Sequence, residues 1–196
     1  MLQIRNLRVE RGGNTICQVP SLEVKRGERV AVVGANGSGK TTLLRVLGGL
    51  ECEFSGELTV DVGMRDRVYL HQAPYLFRGS VLANVMLGSS ARPLLRRHRI
   101  AESRGWLDRF GVAHLADRQS AHLSGGEQRR IALARAFATG AELLLLDEPF
   151  ADLDQAGIDC VCEAMAALPE RTLLISSPGP FPGVPAARVA RLDRPS

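Results

Sequence analysis

Lysine is almost missing from this 196-residue chain: Lys25 and Lys40 are the only two, and every other basic residue is arginine. Lysine presents a compact point charge and arginine a planar fork, so a lysine in this background is unusually informative. Aromatic residues are also scarce, at 5% with the single tryptophan Trp106. Long apolar runs are absent. The longest, such as Leu143 to Leu146, fall far short of the roughly 20 residues that span a bilayer, so any membrane role is peripheral. There is no internal repeat, no low-complexity linker and no heptad pattern for a coiled-coil arm. The amino terminus, MLQIRNLRVE, alternates polar and apolar residues and reads as a strand, not a secretion signal.

Cysteine is limited to Cys17, Cys52, Cys160 and Cys162, with no CxxC pair and no histidine at metal-ligand spacing. That usage points to reduced thiols in a cytosolic protein. Neither sign of charge dominates: Lys+Arg 25 against Asp+Glu 21 leaves a formal +4, which does not call for nucleic acid as a partner. A 45% hydrophobic composition supplies the core of one domain, with room for a small inserted lobe.

Strand and helix periods alternate along the chain. Leu2, Ile4, Leu7 and Val9 mark a first strand, and residues 15–24 hold strand-like pieces broken by Pro20. Arg29 to Val33 is near-continuously apolar, as buried parallel strands are, and KTTLLRVL reads as a helix stopped by Gly48-Gly49. SGELTV and RVYL are further strands. Residues 80–118 are mostly helical, with Ile100, Trp106, Leu107 and Phe110 spaced toward a core. A long helix opens at Ser124, ELLLLDEP is a second buried strand, and a helix from about Asp154 to Leu168 precedes the strand RTLLIS. Pro178 to Pro185 reads as an irregular connection to a last strand near Arg188 to Leu192. The pattern predicts a mostly parallel α/β sheet flanked by helices, with a helical insert.

Two motifs carry chemistry. Gly34-Ala35-Asn36-Gly37-Ser38-Gly39-Lys40-Thr41 fits GxxxxGKS/T between a strand and a helix. Glycines let backbone N–H groups converge on phosphate oxygens, and the helix dipole adds to them. Lys40 is expected on the β- and γ-phosphates and the Thr41 hydroxyl on Mg²⁺, with Thr42 beside it. Asp147 and Glu148 end a buried strand, where open α/β sheets place their ligands. Asp147 is expected to orient the Mg²⁺ shell, through water, and Glu148 to polarise the attacking water.

Leu123-Ser124-Gly125-Gly126-Glu127-Gln128 opens an arginine-rich helix, and Ser124 with Glu127 satisfies the S-x-x-E capping box. A capping box does not require two glycines. Gly125 and Gly126 leave room for another group to approach the backbone. With this motif the chain resembles the ATP-binding cassette (ABC) ATPases, whose LSGGQ signature it matches as LSGGE. The resemblance implies a P-loop core with an antiparallel β portion at the amino end, spanning 1–72 and 125–196, and a helical lobe of about 73–124. It implies ATP and Mg²⁺, with Gln72 as the Q-loop glutamine on metal and water and Asp154 as the D-loop aspartate. It also implies a second cassette placed head to tail, so that Ser124, Gly125, Gly126 and Glu127 serve the partner's nucleotide.

Two departures from that pattern stand out. Ser177 occupies the place where the family carries a γ-phosphate histidine, and no histidine follows His122. A serine donates a hydrogen bond but supplies no imidazole, so slower turnover is expected. Arg11 stands where an aromatic usually stacks on adenine; its guanidinium can stack in its place, or be an ordinary surface arginine.

As a transporter subunit, the chain would sit on the cytoplasmic face of the membrane against an integral permease, with Tyr75, Phe77 and Arg78 as docking residues. The wording from Val19 to Val24 looks like the short bacterial tungstate and related oxyanion importers. Arg92, Arg96, Arg97, Arg99, Arg104 and Arg109 form either a solvated helix face or one turned to anionic headgroups. His71 and His122 read as local hydrogen-bonding residues. The alternatives are a non-transport cassette, such as a cell-division-type membrane scaffold, and an ATP-sensing module with weak hydrolysis.

Overall fold

The computed structural model describes residues 1–179 and 187–194. They group into two bodies, one of residues 1–69, 142–148, 170–179 and 187–194 and one of 70–141 and 149–169.

The first body begins with a three-stranded antiparallel sheet in the order β2-β1-β4, formed by β1 (Leu2–Arg11), β2 (Asn14–Val24) and β4 (Ser55–Val60). Leu2 and Ile4 are buried in one phase of the alternation and Leu7 and Val9 in the other. Asn6 absorbs the slip with a left-handed backbone (φ 49°), and the β1–β4 register shifts between Arg5 and Arg8. The expected break at Pro20 does not occur. β2 runs unbroken through it, because β2 is an outer strand of this sheet, where a missing N–H leaves no ladder bond unmade.

A five-stranded sheet follows, ordered β5-β6-β7-β3-β8: β3 (Arg29–Val33), β5 (Arg67–Leu70), β6 (Leu143–Leu146), β7 (Thr172–Ser177) and β8 (Ala187–Arg191). β3 pairs in parallel with both β7 and β8, and β6 pairs in parallel with β7. Central parallel strands have no solvent face, and all four leucines of β6 are buried. α1 (Lys40–Leu47) lays Leu43, Leu44 and Leu47 into a core shared with Val30, Val32, Leu145 and Leu174. It ends as expected: the Gly48 N–H bonds the Leu44 carbonyl, and Gly49 turns left-handed at φ 70°. Of the proline-rich connection, residues 180–185 lie outside the described residues.

The second body is helical: α2 (Val81–Gly88), α3 (Arg96–Arg109), α4 (Gly125–Ala138) and α5 (Gln155–Ala166). Ser80 caps α2 by accepting from Ala83 N–H at 3.1 Å. Phe137 of α4 meets Phe110 and Trp106 edge-on, with ring centroids 5.3 and 5.5 Å apart. This aromatic cluster ties α4 to α3 within the second body. α2 and α4 touch backbone to backbone at Gly88, where an added Cβ would lie 2.1 Å from the Arg135 carbonyl.

Candidate functional site

The glycine loop leaves β3 at Gly34 and enters α1 at Lys40. Gly37 and Gly39 hold φ of 83° and 89°, which glycine adopts without penalty. A Cβ on Gly34 would come within 2.4 Å of the Leu192 carbonyl, so the loop start is closed to any side chain. Lys40 is only 5% exposed and folds back on the loop, donating to the Gly34 and Ala35 carbonyls at 2.7 and 3.1 Å. Ser38 Oγ is fully buried with no hydrogen-bond partner among the described residues. Such an orphan is costly unless a ligand satisfies it. Thr41 and Thr42 are half-buried in the first turn of α1. Asn36 is exposed, and its carbonyl accepts from the Arg194 guanidinium at 2.9 Å.

The acidic pair lies in the same body. Asp147 is 1% exposed, and hydroxyl donors engage both carboxylate oxygens: Ser176 Oγ at 2.6 Å on Oδ1 and Tyr69 Oη at 3.0 Å on Oδ2. Burial and the neighbouring Asp147 charge push the Tyr69 phenol far above its usual range, so it stays a donor. Ser176 Oγ also accepts the Glu148 N–H at 2.9 Å. Glu148 is half-buried with a left-handed backbone, φ 47°, a conformation a non-glycine residue holds only under tertiary constraint. The buried Ser177 donates through Oγ to the Gly179 carbonyl at 3.1 Å, while its own carbonyl accepts from Gly34 N–H at 3.4 Å. Arg11 closes β1 as an ion pair with Glu51, which is one occupation for its guanidinium.

The second body carries the remaining candidates. Ser124 and Glu127 form the full capping box: Ser124 Oγ accepts from Glu127 N–H at 3.3 Å, and Glu127 Oε2 accepts from Ser124 N–H at 2.7 Å. That backbone bond, with a second from the Ser124 hydroxyl, holds the Glu127 carboxyl below its ordinary range. The glutamate thus faces its own helix end. Asp154 caps α5 by accepting from Gly157 N–H at 2.9 Å. Ser124 to Glu127, Arg130 and residues 152–154 line a cavity of about 480 Å³. Gln72 is exposed just past β5, and His71 Nδ1 accepts from Ala73 N–H at 2.9 Å, a local bond as expected. Among the described residues the four cysteines form no disulfide, and no helix is long and apolar enough to cross a membrane.

The model of the family described as "ABC transporter" matches residues 17–151. The chain belongs to this family. The sulfate/thiosulfate import ATP-binding protein of Escherichia coli K12 is 40% identical over 168 residues, covering 78% of this cassette and 46% of that protein. An aliphatic sulfonates import ATP-binding protein of Paracoccus denitrificans is 44% identical over 152 residues, covering 77% of this chain and 59% of the relative. The cassette therefore spans about half the length of the curated relatives it matches. A bacterial ABC transporter cassette solved as a dimer shares the fold with a TM-score of 0.83 at 23% identity, covering 99% of this chain and 95% of that one. These relatives are named for sulfur compounds, and the narrower likeness to tungstate importers finds no support in them.

Tyr69, Ser176 and Arg194 escaped the sequence reading. Ser176 had one signal, a second hydroxyl next to Ser177 at the carboxyl end of a buried strand. Tyr69 had none, because only the alignment of β5 beside β6 brings it to Asp147.

Proposed function

We propose that this cassette is the ATP-binding and ATP-hydrolysing subunit of an ABC transporter, working as a pair of copies on the cytoplasmic face of a membrane against an integral permease. One observation carries the reading: a buried lysine folded onto a glycine loop lies in the same body as a buried aspartate ending the next strand but one of the sheet. Nucleotide enters by taking Lys40 from the carbonyls of Gly34 and Ala35 onto phosphate oxygens, while the loop amides from Asn36 to Thr42 converge on the same charge.

The donor set fits Mg²⁺. Within the first body, Thr41 and Asp147 offer the hard oxygens that such an ion takes. When bound, the ion neutralises charge on the β- and γ-phosphates. Because both oxygens of Asp147 already accept from hydroxyls, Asp147 acts by orienting water around that position. Glu148, turned out of the strand by its left-handed backbone, holds the attacking water and takes its proton. Ser177 offers one hydroxyl to the γ-phosphate, and turnover is slow for lack of an imidazole. Arg11 leaves Glu51 to stack on the base.

Ser124, Gly125, Gly126 and Glu127 of one copy close over nucleotide held by the other, with Asp154 shaping the same face. Tyr75 and Phe77, 67% and 51% exposed, form a braced apolar surface for the permease. Arg135 anchors the Tyr75 carbonyl at 2.7 Å, and Asn84 holds Phe77 N–H at 2.8 Å, with Arg78 exposed alongside. Exposed Arg96 and Arg97 suit a peripheral seat near anionic headgroups. The sulfate and sulfonate import relatives support the importer side.

ATP turnover and light scattering on wild type and Glu148→Gln test the proposal. Wild type should hydrolyse ATP, and the variant should trap a dimer with ATP. A variant that dimerises no better than wild type would rule out the paired mechanism. Copurification of an integral membrane protein distinguishes transport from a scaffold role.

A further inference from the structure

Arg129 lies two residues beyond the capping box on α4, and it is only 6% exposed. Its guanidinium pairs with Asp152 at 3.1 Å. Asp152 itself holds a left-handed backbone at φ 60°, an uncommon conformation outside glycine that surrounding contacts sustain. The turn around Asp152 also presses on the helix end. A Cβ on Gly126 would lie 3.1 Å from the Asp152 carbonyl, and one on Gly125 would lie 3.9 Å from the Asp152 Cβ. Two residues on, Asp154 is fixed independently as the cap of α5. The wall of the signature cavity formed by residues 152–154 therefore has two anchors, one on each helix.

We infer that the Arg129–Asp152 pair is a latch that sets the width of the signature cavity, making Arg129 a positioning residue for closure over the partner's nucleotide. The inference rests on the paired-cassette reading above. The guanidinium end of the pair is desolvated, so loss of the Asp152 carboxylate removes a charged partner that water replaces poorly, and the latch favours one geometry. With the pair intact, Gly125 and Gly126 meet an incoming phosphate from a preorganised edge. Without it, the turn carrying Leu153 and Asp154 loses its hold on α4, and the cavity must be ordered at the moment of closure.

The test uses the full chain in the Glu148→Gln background. Asp152→Asn keeps the shape and removes charge from a side chain that is 70% exposed, so it preserves folding. ATP binding by the monomer should stay within about twofold, since the phosphate loop belongs to the other body. ATP-dependent dimerisation, followed by light scattering, should weaken about tenfold in Asp152→Asn and in Arg129→Gln, with the double variant no worse than the weaker single. Asp152→Glu should recover most of the loss. A purely structural role would lower the melting temperature and dimerisation in parallel and would not give that rescue. Unchanged dimerisation in Asp152→Asn, or additive losses in the double variant, overturns the latch alone. A Glu148→Gln chain that stays monomeric with ATP overturns the paired-cassette reading and the latch with it.

Discussion

The phosphate-loop site and the signature tip are built in opposite ways. In the first body the charged groups are buried and already engaged, Lys40 on two carbonyls and Asp147 on two hydroxyls. In the second, the capping box is satisfied within four residues, and the glycines border a cavity of about 480 Å³. One region grips because tertiary contacts hold its charges in place; the other stays complete and open until something fills it. Substitutions in the first should therefore change nucleotide binding and chemistry, and those in the second should change closure or helix stability.

Lys40→Ala gives the largest test of that division. Loss of a preorganised charged donor should cut ATP turnover by about 100-fold or more, and equilibrium nucleotide binding should weaken with it. Intact affinity would break the comparison at its strongest point. Next, Ser177→His should raise turnover by about tenfold, the worth of a stronger hydrogen bond to a charged phosphate. A rate unchanged or lowered would mean that the missing imidazole is not what limits this cassette.

Smaller effects sharpen the contrast. Tyr69→Phe removes one of the two hydroxyls on Asp147 and should raise the Mg²⁺ concentration needed for half-maximal turnover by about fivefold, with ATP affinity measured without metal unchanged. Glu127→Gln keeps an acceptor for the capping box and should cost only about 0.3 kcal/mol of stability, leaving monomer nucleotide binding alone. The folded-state carboxyl is held below its ordinary range, so its contribution is complete above the unfolded value of about 4.3 and disappears as pH falls through the lowered folded value. Thermal melts should accordingly show the wild-type advantage over Glu127→Gln at pH 6 and none well below pH 4.

Much of this was legible from local order. The glycine loop, the acidic strand end and the capping box each lie within eight consecutive residues, and each took the geometry its spacing implied. Pro20 misled because a proline is read as a strand breaker until the strand's place in the sheet is known. The meeting of α4 with α3 was hidden for a similar reason: the two helices are apart in sequence, and Phe137 meets Trp106 edge-on only once they pack. Ser177 could be noticed only as a departure, and its bond to the Gly179 carbonyl required coordinates.

The linear order of residues determined the chemical class of this cassette, because phosphate-binding amides, a capping box and a buried strand arise from neighbours in the chain. Only the tertiary structure decided how the charges are held. Tyr69 and Ser176 reach Asp147 from 78 and 29 residues away, and Arg129 reaches Asp152 from 23 away. Burying a charge demands a partner, and which partner is available depends on which strands and helices the core brings side by side.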